Sequence, residues 1–155
     1  MNTHTGKWVG VMLHHTAGKQ SDTVASIRKI HKEVNGWGDI GYHYVLEIKK
    51  GKGYLKKGRD TKYQGAHAGV DYYNNAYIGI VVPGNYCTDK LSDTLYSDLL
   101  SALCTLIKKF SLTHLRGHKE VKSTACPGDN IDLDKLRKDV TAKLKASGYN
   151  VNIIK

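Results

Sequence analysis

Two histidines and a cysteine, His14, His118 and Cys126, are the side chains of this sequence best suited to hold a catalytic metal ion. Catalytic zinc sites use three protein ligands and keep a fourth position for water or substrate. Zinc also prefers imidazole and thiolate ligands to sets of hard oxygen ligands. The three residues lie far apart in the chain, so they form a site only if the fold brings the first strand beside a late loop. Spacing alone is a weak signal, because scattered histidines and cysteines more often have structural roles.

Three short segments carry the residues that could do chemistry. Residues 13–17 (LHHTA) end the first predicted strand, residues 41–44 (GYHY) begin the second, and residues 116–128 form a loop before the last predicted helix. Alternate residues of a strand face opposite sides, so His15 is predicted to point away from its neighbour and to pack against the first helix. His43 is interpreted as a packing residue or as a hydrogen-bonding partner of a metal ligand.

Hydrophobic spacing predicts the elements that must position these segments. Apolar residues at helical spacing, such as Leu95, Leu99 and Leu103, indicate amphipathic helices, and short apolar runs bounded by Gly or Pro indicate buried strands. Ser21 or Asp22 is the predicted cap of the first helix. The element order predicts an α/β fold with a central mixed β-sheet flanked by about three helices. The predicted strands cover residues 8–15, 40–48, 77–82 and 113–116, with a short one around 54–55, and the predicted helices cover residues 21–35, 92–110 and 133–146.

The remaining segments are predicted from their composition. Residues 58–76 are rich in Gly, Asn, Asp, Tyr and His, which indicates a long irregular loop of the kind that is usually functional. The tail after Gly148 is expected to be loose. Trp37 is expected in the core, and Cys87 and Cys104 are expected to be structural.

Length and composition fit one domain: the chain has 155 residues, of which 40% are hydrophobic and 25% charged. The formal net charge of +10 favours attraction to polyanions. Nucleic acid, an anionic lipid surface and bacterial wall polymer are all polyanions that could be the partner. The same charge also fits a solvated basic surface that has no dedicated partner. The sequence contains no helix-turn-helix, zinc-finger or basic-aromatic strand motif, so nucleic acid is not the expected partner.

The number of cysteines and the first residues of the chain indicate the cellular compartment in which the protein is expected to be made. An odd count of three cysteines without framework spacing argues against a disulfide scaffold. The start has no basic segment followed by an apolar one, so no secretory signal is expected and the protein is predicted to be made in a reducing cytoplasm. No apolar run approaches the roughly 18 to 20 residues of a membrane span, so no membrane insertion is expected. A monomer is the expected state.

Taken together, the motifs resemble the type 2 N-acetylmuramoyl-L-alanine amidases. That family includes small phage endolysins and is related to the animal peptidoglycan recognition proteins. The resemblance covers roughly residues 9–136, and its specificity lies in the order and spacing of the pieces rather than in any one of them. The pieces are HHTA at 14–17, WGDIGYHY at 37–44, GRD at 58–60, GAHA at 65–68, IGI at 78–80, GH at 117–118 and ACPG at 125–128.

The resemblance implies roles for particular residues. His14, His118 and Cys126 would hold Zn²⁺, and bacterial peptidoglycan would be the partner. Tyr42 would lie close to the metal, where it would orient the attacking water or donate a hydrogen bond to the oxyanion. Thr124 stands two residues before the cysteine, where some phage enzymes carry a lysine; its hydroxyl can donate only a neutral hydrogen bond.

Residues in the loop would contact the substrate. His67 is the residue that the resemblance implies for this role, and Tyr63, Tyr72 and Tyr73 could stack on sugar or peptide. Relatives often carry an asparagine two residues before the Ile-Gly pair, whereas this chain has Ala76, so the groove differs from theirs in detail.

The implied activity is zinc-dependent hydrolysis of the amide bond between the lactyl group of N-acetylmuramic acid and L-alanine. The alternative is a recognition module that binds peptidoglycan without cutting it, a state often reached in this superfamily by loss of the cysteine ligand. The implied fold is that of the peptidoglycan recognition proteins and amidases. We expect residues 1–155 to be a single catalytic domain, with its core at about 8–146 and no separate wall-binding domain. A phage or prophage endolysin, acting on the wall after its release, is the simplest setting.

Overall fold

Five strands form one mixed sheet in the computed structural model, which describes residues 1–155. The strands are β1 (Gly10–His15), β2 (Tyr44–Lys49), β3 (Lys52–Lys57), β4 (Tyr77–Val82) and β5 (His114–Gly117), in the spatial order β3-β2-β4-β1-β5. Only the β2–β3 hairpin is antiparallel; β2, β4, β1 and β5 run parallel to one another. The helices are α1 (Val24–Glu33), α2 (Asp71–Ala76), α3 (Asp93–Phe110) and α4 (Leu133–Ala146). This confirms the predicted α/β fold with a central mixed sheet.

Helices cover both faces of the sheet. The largest apolar cluster joins one face of β1 and β4 to α3 and α4. On the other face Ile27 of α1 packs with Val45 and Val81, and α2 packs beside β4. The two central strands β1 and β4 are therefore buried along their whole length, which explains their nearly continuous apolar sequences.

Two helix boundaries follow from local chemistry. Thr23, rather than Ser21 or Asp22, caps α1. Its Oγ1 accepts the Ser26 N–H, and the Ser26 Oγ accepts the Thr23 N–H in turn. Ser111 ends α3 in a left-handed conformation with φ 53°. No helix combines the length and the apolar character needed to cross a bilayer.

Three further sequence predictions about local structure were wrong. Residues 71–76 form α2 inside the stretch predicted to be an irregular loop. The tail is not loose, since Ile153 is buried and the Leu115 N–H donates to the Ile154 carbonyl at 2.9 Å. Trp37 is 37% exposed, so it is a surface residue.

The free cysteines differ in environment. Cys104 is buried in the main core, as expected for a structural residue. Cys87 is exposed and unpaired, so packing does not explain it.

Candidate functional site

The sheet topology brings the two predicted histidine ligands together. His14 lies near the carboxyl end of β1, and His118 follows directly after the last residue of β5. β1 and β5 are parallel neighbours, with Leu13 paired to Gly117. The residues that follow this pair, His14 and His118, are therefore side by side. Their imidazole ring centroids are 4.7 Å apart. The carboxyl edge of parallel strands is where ligand sites of open α/β sheets form.

The third predicted ligand reaches the same edge from the loop before α4. Backbone bonds hold Cys126 there: the Lys119 N–H donates to its carbonyl at 2.7 Å, and the His15 N–H points at its Sγ at 3.4 Å. The Cys126 Sγ lies 3.6 Å from the His14 Nδ1. One ligand atom from each of His14, His118 and Cys126 falls within 4.8 Å of the others. Two imidazoles and a thiol converging in this way suit a zinc ion.

A backbone carbonyl fixes which nitrogen His118 can offer to a metal. The His118 Nε2 lies 2.8 Å from the Ala68 carbonyl oxygen. A carbonyl only accepts hydrogen bonds, so this nitrogen carries the hydrogen and Nδ1 keeps its lone pair. Metal-binding histidines characteristically donate their second N–H to such an acceptor. His118 is therefore oriented to bind through Nδ1.

Burial sets the protonation of the ligand groups. Burial, followed by the neighbouring His67, lowers the pKa of His14 well below its usual value, and burial also lowers that of His118. Both rings are therefore neutral near pH 7, the form that binds metal ions. Burial raises the pKa of the Cys126 thiol to about 11. The thiolate form consequently needs a compensating cation beside it.

The Tyr42 ring lies beside His14, although its backbone precedes the first residue of β2. Its ring centroid is 5.1 Å from that of His14. Burial raises the pKa of the Tyr42 phenol above its usual range, and the adjacent Cys126 adds to this effect. The phenol therefore keeps its proton and can donate a hydrogen bond to an oxygen at the site.

The loop around Cys126 adds a hydroxyl and a cation. The Thr124 Oγ1 accepts the Cys126 N–H at 3.3 Å, which leaves the hydroxyl hydrogen free to donate elsewhere. The Lys122 side chain crosses Gly69, where an added Cβ would come within 2.2 Å of its Nζ. Lys122 also contributes to the lowered pKa of His118, so its ammonium lies near the site. Sequence spacing does not fix the direction of the Lys122 side chain, whereas its passage over Gly69 in the structure does.

His67 is buried against His14 rather than open to the groove. The His67 Nδ1 lies 2.9 Å from the His14 Nε2, and its Nε2 lies 2.9 Å from the Tyr77 carbonyl oxygen. The side chain of Asn74, which sequence reasoning missed, accepts the N–H groups of His67 and Ala68. Both ring nitrogens of His67 are thus engaged inside the protein. The direct substrate contact stays a prediction.

The other histidines of the motifs have structural partners. His43 accepts the Gly79 N–H at Nδ1, and its Nε2 lies 2.9 Å from the Tyr63 carbonyl oxygen, which fits the predicted packing role. His15 points to the opposite face from His14, as predicted, and its Nδ1 accepts the Tyr86 N–H. It does not pack against α1, because α1 lies on the face of the sheet that carries His14.

The candidate stacking tyrosines are spread along the loop. Tyr72 on α2 is exposed and stands edge-on to Tyr73 at 5.0 Å between ring centroids. Tyr73 lies under the Arg116 guanidinium, and Tyr63 is half-buried. Of the three, Tyr72 is therefore the most available to a ligand.

A buried ion pair anchors the His118 turn to α4. Arg137 forms a two-bonded pair with Glu120 at 2.8 and 3.0 Å, and the Glu120 carboxylate also accepts the Gly117 N–H. The side chains of Arg137 and Glu120 are only 8% and 11% exposed. Sequence reasoning missed this pair because its partners lie on different elements.

We expect Arg137→Ala to lower the free energy of unfolding by about 3–5 kcal/mol, because the buried Glu120 carboxylate loses its two-bonded partner. The Lys155 ammonium, at 3.7 Å and on an exposed side chain, replaces that partner only in part. Urea unfolding followed by circular dichroism measures this. Lys135→Ala is the matched control, since its ion pair with Asp139 is on the surface and should contribute no more than about 1 kcal/mol. Equal stability of the two variants would show that the Glu120 pair does not anchor the turn.

Comparison with known proteins identifies the family. Residues 4–129 match the family model described as N-acetylmuramoyl-L-alanine amidase. The endolysin of Escherichia phage T7 is 36% identical over 128 residues, which cover 78% of this chain and 81% of the endolysin. Peptidoglycan-recognition protein SC2 of Drosophila simulans is 34% identical over 130 residues, covering 77% of this chain and 68% of that protein.

A solved structure agrees with the sequence relatives. The N-acetylmuramoyl-L-alanine amidase endolysin LysCS from Clostridium intestinale superposes with a TM-score of 0.75 at 29% identity, covering 94% of this chain and 91% of that one. This chain therefore belongs to the N-acetylmuramoyl-L-alanine amidase family.

Proposed function

We propose that this protein is a zinc-dependent N-acetylmuramoyl-L-alanine amidase that cuts the lactyl–L-alanine amide bond of bacterial peptidoglycan, in a phage or prophage endolysin setting. The observation that carries the proposal is the convergence of His14, His118 and Cys126 within 4.8 Å at the carboxyl edge of the sheet. Membership of the amidase family supports it. A zinc ion held by these side chains would lower the pKa of water toward about 7 and polarise the amide carbonyl.

The protein's own side chains complete the chemistry. Tyr42 keeps its proton and can donate a hydrogen bond to the negative oxygen that develops on the amide carbon. Thr124 has a free hydroxyl hydrogen for the same oxygen. Lys122 places a positive charge near the site, suited to the carboxylates of the stem peptide. Such donors act only when negative charge appears, so they lower the barrier more than they strengthen substrate binding.

The alternative is a recognition module that binds the same polymer without cutting it. Relatives named as peptidoglycan-recognition proteins, 34% identical to this chain, are the observation in its favour. The complete ligand set and Tyr42 favour the enzyme, because a binding module needs neither a thiolate nor a buried phenol at the metal.

Chemical analysis of digested peptidoglycan separates these possibilities. An amidase releases new L-alanine amino termini and no new reducing sugar ends. New reducing ends would indicate cleavage of the glycan instead. Retention of the protein on insoluble peptidoglycan, with no new amino termini, would support the recognition module.

We expect salt to weaken lysis of whole cells by about 10-fold or more between low and high ionic strength, because it screens the +10 charge from anionic wall polymers. Cleavage of a small soluble muropeptide should change little over the same range. Parallel turbidity and product assays at increasing sodium chloride measure the two effects. Equal salt sensitivity in both assays would show that the charge does not draw the enzyme to the wall.

A further inference from the structure

We propose that His67 is a positioning residue that fixes the tautomer and orientation of His14, so that His14 presents Nδ1 to the metal. The inference rests on the proposed zinc site. Residues 65–68 then orient the metal ligands and do not contact the substrate directly.

A chain of hydrogen bonds runs from a backbone carbonyl through His67 to His14. The Tyr77 carbonyl oxygen lies 2.9 Å from the His67 Nε2 and can only accept, so Nε2 carries the hydrogen of the neutral His67 ring. The His67 Nδ1 is then an acceptor. It faces the His14 Nε2 at 2.9 Å, so that nitrogen must donate. The His14 Nδ1 is left with its lone pair, 3.6 Å from the Cys126 Sγ.

The His67 ring occupies space that only glycine leaves free. Two glycines flank it: an added Cβ would come within 2.2 Å of the His67 Cδ2 at Gly65 and within 2.6 Å of it at Gly79. No side chain could stand at either position without displacing the imidazole. The Asn74 carboxamide holds the backbone beneath the ring by accepting the His67 and Ala68 N–H groups at 2.9 and 2.8 Å. The ring is therefore fixed in orientation as well as in place.

Two consecutive residues, His67 and Ala68, orient both histidine ligands. His67 accepts from His14 through its side chain, and the next residue, Ala68, accepts from His118 through its carbonyl at 2.8 Å. In both ligands Nε2 carries the hydrogen and Nδ1 keeps the lone pair that a metal ion needs. A partner that fixes a ligand in this way typically changes metal affinity by about 10- to 100-fold.

The acceptor beside a metal-binding histidine affects the net charge of the site. Many metal-binding histidines donate to a carboxylate, which adds negative charge to the site. Here the acceptor is an imidazole that donates through Nε2 to the Tyr77 carbonyl and accepts through Nδ1, so it is neutral and adds no charge. The one anionic ligand is then Cys126, and the site keeps a net positive charge when a divalent ion is bound.

Zinc affinity of His67 variants tests the inference. We expect His67→Leu to weaken zinc binding about 10- to 100-fold, measured by competition with a chromophoric chelator. His67→Gln should recover part of that loss, because its amide oxygen can accept the His14 N–H. His114→Leu is the control: it removes another histidine, whose Nδ1 bonds only the Thr113 Oγ1 at the start of β5, at the opposite end of that strand from His118. Its zinc affinity should match that of the unaltered protein.

Nitrogen-15 NMR of the unaltered protein provides a test that needs no variant. Long-range proton–nitrogen correlations should show hydrogen on Nε2 of both His14 and His67 in the zinc-loaded protein. Hydrogen on the His67 Nδ1 would overturn the inference, as would unchanged zinc affinity in a folded His67→Leu protein whose KM for a muropeptide rises. Absence of zinc binding by the unaltered protein would instead overturn the proposed function, and the inference with it.

Discussion

Replacement of Cys126 by serine is expected to abolish zinc binding and to lower amide hydrolysis by at least roughly 1,000-fold. A serine hydroxyl ionises far less readily than a thiol and is a poor zinc ligand, so water at the site returns from a pKa near 7 toward about 15.7. The fold should survive, because Cys126 is held mainly by backbone hydrogen bonds such as that from the Lys119 N–H. Zinc content by elemental analysis and product release from a muropeptide measure the two effects.

Cys87→Ser is the control for this experiment. Cys87 is exposed and is not one of the converging ligands, so its replacement should leave zinc content and hydrolysis unchanged. A Cys126→Ser protein that still hydrolyses the amide at the original rate would contradict the assignment of the metal ligands. A Cys126→Ser protein that binds peptidoglycan but does not cut it is the expected result.

Tyr42→Phe is expected to lower kcat by about 100- to 1,000-fold, the usual cost of removing one hydrogen-bond donor to a developing oxyanion. Zinc affinity should stay unchanged, because the proposed ligands are His14, His118 and Cys126. The ring packs beside His14 in either form, so stability should change little. Steady-state kinetics on a soluble muropeptide, with zinc content measured on the same samples, tests this.

Tyr54→Phe is the matched control, since it removes the same hydroxyl from an exposed tyrosine on the outer strand β3. Its kcat should equal that of the unaltered enzyme. A Tyr42→Phe enzyme with full kcat and a raised KM would mean that Tyr42 binds substrate without stabilising the transition state.

Strands and long helices were predictable where local patterns determine them. The buried run of β4 and the amphipathic spacing of α4 match residues 77–82 and 133–146 in the structure. α2 was missed because its six residues show no apolar periodicity and Val70 supplies no side-chain cap. The pairing of the tail with β5 was missed because it uses backbone atoms, which leave no signature in side-chain types.

The candidate site depended on information that spacing does not contain. Nothing in the local sequence states that β1 and β5 are parallel neighbours, yet that pairing is what places His14 beside His118. The family motifs supplied the grouping instead. The hydrogen bond between His67 and His14 could not be predicted, because it depends on the space left by Gly65 and Gly79 on two different segments.

Mass spectrometry of a defined muropeptide treated with metal-free and zinc-restored protein tests the central claim most directly. Zinc-restored protein should yield two products, the free muramyl sugar and a stem peptide beginning with L-alanine, whose masses sum to substrate plus one water. Metal-free protein should yield neither, and returning zinc should restore both. Equal cleavage by the metal-free protein, or an intact substrate with zinc fully bound, would contradict the account.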